Sequence, residues 1–536
     1  MAKKIVLISG HVSAGKTTLA DHLVSRFSVV CVRTRDILKQ KDPSIVQNRE
    51  EMQNFGEWLD KKTKGEWVRD GLKEAINANL REPVFVVDAV RIPSQIAAIR
   101  RSYGSRIVFH IHLTAQSSEL KKRYVRRRQR AFREFASYGD LLRNKTEADV
   151  DGLRYLADIV IETDRCTVDD VVIRAASHLG FFGKDHTRLV DVLVGGQYGS
   201  EGKGNIAAYL AKEYDVLVRV GGPNAGHKVY EEPKPYTFQQ LPSGTRASEA
   251  ELVIGPGAVI NPEILLREIA DCKVSNKRLC IDPQAIIIEQ RDIKKESKGI
   301  KTLIASTGQG VGWATARRIL DRGKISVRMA KDCRDLKPFV RSTLQALDNA
   351  FAKGHKLLLE GTQGTGLSIY HGHYPHVTSR DTTVSGCLAE AGIAPNRVRK
   401  VIMVCRRYPI RVGNPPNGTS GYMSKEITFK EISRRSGVKL NELEEVEKGS
   451  VSHRPRRVGE FDWALLRRSV SLNSPTDIAL TFADYICIKN REARRFEQLT
   501  SDSLQFIEEV ERITNAPVSL ISTRFSFRNI IDRRSW

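Results

Sequence analysis

Two glycine-rich segments carry residue types that handle phosphate. Gly10-His11-Val12-Ser13-Ala14-Gly15-Lys16-Thr17 fits G-x4-G-K-[ST] in full. In such a loop glycines let backbone N–H groups turn onto phosphate oxygens, Lys16 neutralises the β- and γ-phosphates, and Thr17 can ligate Mg2+. The second, Gly195-Gly196-Gln197-Tyr198-Gly199-Ser200-Glu201-Gly202-Lys203-Gly204, departs from that pattern. Its spacing is G-x5-G-K, and Gly204 stands where a metal-binding hydroxyl would be expected. The competing reading of the first loop is a chance match in a glycine turn, and its place between a strand and a helix argues against that.

The elements that must hold these loops come next. Residues 4–9 and 189–194 are short β-branched runs leading into the loops, and helical stretches follow, which is how an α/β sheet opens onto a phosphate. Apolar runs at 84–89, 106–113, 356–361 and 401–405 alternate with amphipathic stretches. The fold class this predicts is α/β, two P-loop-type domains with mainly parallel sheets covered by helices. A length of 536 residues alone would allow roughly three to four domains. The repeated strand–loop–helix design argues for two, residues 1–180 and 189–536, joined across 181–188 within a polar stretch, 177–188, that carries two glycines.

Composition excludes several classes. With 40% hydrophobic and 28% charged residues the chain is not wholly disordered. No run approaches the ~18 to 20 apolar residues of a membrane helix, and the opening MAKKIVLISGH is too short in apolar residues for a secretory signal. Eight cysteines, at 31, 166, 272, 280, 333, 387, 405 and 487, form no CxxC pair, which fits a reducing, cytoplasmic setting. The net charge of +24 concerns partners, either nucleic acid or phosphorylated small molecules. The densest basic cluster, residues 121–130, has little aromatic interleaving for base stacking, so nucleic acid is not the expected partner.

In the first half, Arg35-Asp36 follows the second strand, Val87-Asp88-Ala89-Val90-Arg91 ends a buried strand, and Arg123, Arg126, Arg127 and Arg128 lie on a basic helix. Those features, with Arg49, Gln53, Gly56, Gly65 and Trp67 and the run Ala157-Asp158-Ile159-Val160-Ile161, resemble a deoxynucleoside-monophosphate or dephospho-coenzyme-A kinase. The resemblance implies that the basic helix closes as a lid; a solvated face is the alternative. The acceptor stays open.

In the second half, several further motifs follow the loop: Gly221-Gly222-Pro223-Asn224-Ala225-Gly226-His227, Leu241-Pro242-Ser243-Gly244, Ser306-Thr307-Gly308-Gln309-Gly310-Val311-Gly312, Glu360-Gly361-Thr362-Gln363-Gly364, Val377-Thr378-Ser379-Arg380-Asp381-Thr382-Thr383 and Arg454-Pro455-Arg456-Arg457-Val458-Gly459. Singly these are polar glycine turns. In this order they resemble the adenylosuccinate synthetase superfamily across roughly residues 189–530. The resemblance implies two steps: a nucleoside triphosphate phosphorylates purine O6, and the amine of L-aspartate then displaces phosphate, giving an N6-succinyl product. It gives His227, Lys203 and Ser200 the catalytic positions. The triphosphate would lie on Ser200, Glu201, Gly202, Lys203, Gly204, Gly226, His227 and the next residue, which is Lys228 here, with Mg2+ on the Gly226 carbonyl. Asn224, Thr307, Gln363 and Thr378 would hold the acceptor nucleotide, and Arg454, Arg456 and Arg457 the carboxylates of aspartate, for which guanidinium forks are suited.

Three departures bear on substrates. Ser200 replaces the aspartate that in the family takes the purine N1 proton, a loss also found in viral relatives that use dGMP to make 2-aminoadenine nucleotides. A smaller residue leaves room beside N1 for the 2-amino group. Leu480-Thr481-Phe482-Ala483-Asp484 carries Phe482 for the family's lysine, and Ser522-Thr523-Arg524-Phe525 replaces a Ser-Thr-Gly-Pro stretch. These favour ATP or dATP over GTP as donor, with Asp484 keeping GTP open. The expected activity is therefore ligation of aspartate to dGMP, fused to a nucleotide kinase. The alternatives are ordinary adenylosuccinate synthesis from IMP, or a silenced nucleotide-sensing or nucleic-acid-binding protein. A homodimer is expected, its cross-subunit arginine being sought among Arg317, Arg318 and Arg322 beside Asp321.

Overall fold

The computed structural model describes residues 4–27, 29–43, 49–128, 137–139, 150–182, 187–230, 234–324, 327–416, 418–447 and 456–534. The chain forms two compact units, Met1–Phe182 and Gly183–Trp536. Each is built around a mainly parallel sheet with helices between its strands.

The first unit has five parallel strands in the order Val30–Arg33, Val84–Asp88, Lys4–Gly10, Val108–Thr114, Ile159–Glu162. The alternation of the central strand explains its burial on both faces. Val6 and Ile8 enter one apolar cluster, Ile5 and Leu7 the other. The strand expected at 84–89 stops at Asp88, and the helix Val168–His178 takes in the first residues of the polar stretch.

The second unit has nine strands in the order Leu279–Ile281, Glu251–Ile254, Val216–Arg219, Leu357–Glu360, Val190–Gly195, Val398–Arg406, Asp477–Thr481, Val518–Ser522 and Ile530–Asp532. Only the last pairing is antiparallel among them. Val190, Val192 and Val194 pack into one core and Leu193 into the other. Parallel strands put their C-terminal ends on one edge, and in such sheets ligands bind in the crevice there. Both glycine loops leave the C-terminal end of a central strand. No helix among the described residues is long and apolar enough to cross a membrane.

Gly10 shows how tightly the first loop is set. Its φ is +135°, and an added Cβ would lie 2.1 Å from the Leu113 carbonyl oxygen on the neighbouring strand. Gly10→Ala is expected to cost about 3 kcal/mol from strain and backbone overlap combined. Hydrogen exchange along Lys4–Gly10 measures this, and unchanged protection would refute it.

Candidate functional site

In the second unit the glycine loop is closed on its own glutamate. Glu201 is fully buried; its Oε1 accepts the N–H groups of Gln197 (3.0 Å) and Gly199 (2.8 Å), and its Oε2 meets the Lys203 ammonium at 2.7 Å. Room for that carboxylate exists because Gly195 and Gly364 lack side chains: an added Cβ would lie 2.7 Å from Oε2 at the first and 2.5 Å from Oε1 at the second. Gly202, in the left-handed region at φ 87°, turns the chain into the helix Lys203–Leu210, whose N-terminus favours anions. A Cβ on Gly204 would meet Cβ of His227 at 3.1 Å, a tight approach that a residue with a side chain would make only if His227 gave way by a few tenths of an ångström. The Ser200 carbonyl accepts from Arg406 (2.9 Å).

His227 opens a short antiparallel pairing, His227–Val229 with Tyr236–Phe238. Its Nδ1 is hydrogen-bonded to Glu360, whose other oxygen accepts the Ser243 N–H at 2.7 Å. The Ser243 hydroxyl also donates to Glu360, and the Arg219 guanidinium stands 3.6 Å away. Burial alone would raise the Glu360 carboxyl, but Arg219 and the His227 ring hold it at about 2. Burial, with Arg219 adding to it, pushes His227 down to about 4 despite Glu360. The resting ring is thus neutral, with Nδ1–H on the carboxylate and a buried Nε2 that meets no polar partner among the described residues. An orphaned nitrogen of this kind calls for a ligand.

A second set of polar groups converges beside the loop. Thr378 Oγ1 accepts from the Gln363 amide at 2.8 Å and from Asn224 at 3.4 Å. Asn224 Oδ1, Gln363 Oε1 and Thr307 Oγ1 are buried without a described partner. Gln363 holds a left-handed backbone, φ 64°, directly over Gly199, where a Cβ would come within 3.0 Å of its Cα. The four residues expected to hold an acceptor nucleotide therefore include three brought together by hydrogen bonds, and their open acceptors suit the N–H edges of a base.

The arginine strand splits its neighbours. Arg456 and Arg457 are consecutive on the strand Arg456–Gly459 and point to opposite faces. Arg456 lines the cleft that holds Ser200, Lys203, His227 and Phe482, and pairs with buried Glu447 at 3.0 Å. Arg457 is instead spent on Ser420 (2.9 Å), the Gly421 carbonyl (2.7 Å) and Glu426. Arg457, expected with Arg456 to grip aspartate, is engaged with those three groups, and Arg454 lies outside the described residues. Among the arginines sought for a partner subunit, Arg317 is buried against Asp292 (3.1 and 2.7 Å), and Arg318 donates to the carbonyls of Pro256 (2.9 Å) and Gln284 (3.1 Å). Arg322 is exposed.

Residues that no motif revealed are Arg219, Glu447 and Arg406, and Glu360 opens a glycine motif that gave it no role. Arg219 and Glu360 face each other in register at the ends of adjacent strands, so strand-end position was the available signal. Ser200 and Gly226 bring a hydroxyl and a carbonyl to the lining of this cleft; the carboxylates at hand are committed, Glu201 to Lys203 and Glu447 to Arg406 and Arg456. Neutral oxygens of this kind suit Mg2+ carried in on phosphate oxygens.

In the first unit, Gly15 (φ 97°) turns the loop into the helix Lys16–Arg26, and Lys16 donates to the carbonyls of Gly10 (2.6 Å) and His11 (2.7 Å). The Thr17 hydroxyl, in the first turn of that helix, donates to Asp88 at the end of the strand Val84–Asp88, at 2.9 Å. These two fit a nucleotide-bound Mg2+. A cavity of about 670 Å3 opens beside them, lined by Arg35, Asp36, Arg91, Arg123, Gln53, Gly56 and Trp67. Its floor carries Asp60, which accepts from Trp67 (2.6 Å) and Gln95 (2.9 Å) and is raised by burial. Gly65 caps the helix that carries Trp67. Arg123 is turned to Thr163 (2.9 Å), and Arg126 is exposed. The side chains of Arg49, Arg127 and Arg128 lie outside the described residues.

Comparison with known proteins bears on the second unit. A family model described as "Adenylosuccinate synthetase" matches residues 192–332 and 320–491. The adenylosuccinate synthetase of Pyrococcus horikoshii is 38% identical over 350 residues, 64% of this chain and 98% of its own. That of Methanocaldococcus jannaschii is 37% identical over 351 residues, 64% of this chain and 96% of its own. Among solved structures, fully ligated adenylosuccinate synthetase from Plasmodium falciparum aligns with a TM-score of 0.56 at 22% identity, over 65% of this chain and all (100%) of that one. The cyanophage S-2L succinoaminodeoxyadenylate synthetase, bound to dGMP and to dATP as an energy donor, aligns with a TM-score of 0.55 at 27% identity, over 65% of this chain and 96% of its own.

The depressed His227 value fixes a pH dependence. The folded ring titrates near 4 and the free one near 6.5, so on acidification the unfolded chain binds the proton first and stability falls across that window. Urea midpoints of His227→Asn are expected to vary less between pH 6.5 and 4 than those of the wild type. Parallel profiles would overturn this assignment.

Proposed function

The chain belongs to the adenylosuccinate synthetase family through residues 192–491, and from that premise we propose that it ligates L-aspartate to C6 of dGMP at the expense of an adenine nucleoside triphosphate, with a nucleotide kinase as its first unit. The observation that carries the acceptor is Ser200. It gives the loop a hydroxyl where the family has a carboxylate, while Asn224, Gln363 and Thr378 still meet one another. The S-2L structure, which holds dGMP and dATP, is a relative in which that acceptor and donor occur together.

The residues divide the work as follows. Asn224, Gln363, Thr378 and Thr307 orient the purine. O6 attacks the γ-phosphorus as the N1 proton passes to water and the nucleoside diphosphate leaves; the aspartate amine then attacks C6, loses a proton to water, and phosphate departs from C6. Lys203 exchanges its bond to Glu201 for the transferring phosphoryl group, and the amide-rich loop steadies its charge. His227 presents Nε2 to the reacting oxygen, and its affinity for a proton rises as phosphates arrive, while Glu360 balances the imidazolium. Arg456 meets a carboxylate of aspartate. Bound Mg2+ would supply charge neutralisation between phosphate oxygens, held by the Gly226 carbonyl and the Ser200 hydroxyl.

The second reading is ordinary synthesis from IMP, favoured by the names of relatives 37–38% identical to this chain. Phosphate release with dGMP and with IMP, each offered with aspartate and ATP, separates the two. Faster turnover of dGMP is expected, and turnover of IMP alone would assign the chain to the ordinary reaction. Ser200→Asp is expected to shift the IMP/dGMP ratio toward IMP by tenfold or more; an unchanged ratio would refute the argument from space beside N1.

For the first unit the reading rests on the complete phosphate loop, the Thr17–Asp88 pair and the cation-lined cavity. His227→Ala is expected to lower succinylation by about 10^2 to 10^4 and leave nucleotide phosphorylation intact, and Lys16→Ala to do the reverse. Loss of both activities from either folded variant would contradict two independent sites.

A further inference from the structure

The cleft over the second glycine loop contains a buried carboxylate, Glu447, only 2% exposed. It caps the C-terminal end of the helix Leu440–Val446, and two arginines from other elements converge on it. Arg406, the last residue of the strand Val398–Arg406, meets Oε1 through Nη2 and Oε2 through Nη1, the latter at 3.5 Å. Arg456, the first residue of the strand Arg456–Gly459, donates from Nη1 to Oε2 at 3.0 Å. The Tyr485 hydroxyl donates to Oε1 at 2.9 Å. Burial pushes the Glu447 carboxyl up, but Arg406 and Arg456 outweigh it and hold the group below its ordinary value.

Arg406 carries the contact on to the phosphate loop. The Nη1 that reaches Glu447 also donates to the Ser200 carbonyl at 2.9 Å. Ser200, Arg406, Glu447 and Arg456 line one cleft together with Lys203 and His227. Two guanidiniums on one carboxylate leave an excess of positive charge there, and a buried excess of this kind favours a further anion. Among the described residues Arg456 engages Glu447 only through Nη1. The Nε–Nη2 side of its planar fork is thereby left for the two oxygens of another carboxylate.

We propose that Glu447 is a positioning residue for the aspartate substrate, holding the Arg456 fork in place over the glycine loop by way of Arg406. A guanidinium on a long side chain samples many rotamers, and a charge-assisted bond to a buried carboxylate removes that freedom before the substrate arrives. The tie from Glu447 through Arg406 to Ser200 sets where the fork stands relative to the residues that bind phosphate. Glu447 acts through its neighbours, since its oxygens are taken by Arg406, Arg456 and Tyr485. The inference rests on the ligase reading above and adds a residue that orients its second substrate.

The test follows succinylated product from the full chain, with ATP or GTP and whichever of dGMP and IMP the wild type turns over, varying aspartate and then the acceptor. Glu447→Gln keeps the shape and removes the charge. It should raise KM for aspartate by about tenfold or more and leave KM for the acceptor within about threefold. A folded Glu447→Gln with an unchanged KM for aspartate overturns the proposal, and so does an equal rise in both constants, which general loosening of the cleft would produce. A fall in KM for aspartate also overturns it, because Glu447 would then occupy the place of a substrate carboxylate. If Glu447→Gln does not fold, Glu447→Asp, with its charge one methylene short, should raise KM for aspartate alone by about threefold or more. Failure of both to fold makes Glu447 a support of the fold only and overturns the proposal. All these results leave the ligase reading standing, whereas no product from the wild type with either acceptor removes both.

Discussion

A single buried carboxylate, Glu360, holds the second unit's site together. It ends a central parallel strand, where it meets Arg219 of the neighbouring strand, the ring of His227, and both the hydroxyl and N–H of Ser243. Removed from water, such a charge survives only when every lone pair is engaged. The arrangement fixes the imidazole tautomer and binds three chain segments far apart in sequence into one wall. The same constraint leaves Nε2 as the ring atom available for chemistry.

The glycine loop obeys a related rule. Glu201 holds the N–H groups of Gln197 and Gly199 and the Lys203 ammonium, so a triphosphate on this loop must exchange charge-assisted bonds for others. Glycines at 195 and 364 are required by the close approach of Glu201, and Gly199 by its left-handed backbone beneath Gln363; Gly204 lies tightly against His227.

Charge is used inward as well as outward. Arg219, Arg317, Arg380, Arg397, Arg406 and Arg411 are all buried, tying loops to carboxylates and carbonyls. Part of the +24 excess thus supports loop geometry around anionic ligands. A uniform nucleic-acid-binding face accounts for it less well, since these guanidiniums do not reach solvent.

Local order was legible from residue types. Strand alternation, the full P-loop and the succession of glycine motifs follow from backbone sterics and period, which act over a few residues. They determined two α/β units and the positions of both phosphate loops. They also made Ser200 visible as a departure. Tertiary structure alone decided which side chains meet: that Glu360 orients His227, that Arg456 faces the cleft while Arg457 serves a loop, and that Glu447 joins Arg406 to Arg456. These pairings join residues 9 to 133 positions apart in sequence. They depend on strand order and on burial, which raises the strength of every charge contact and which short-range pattern does not encode.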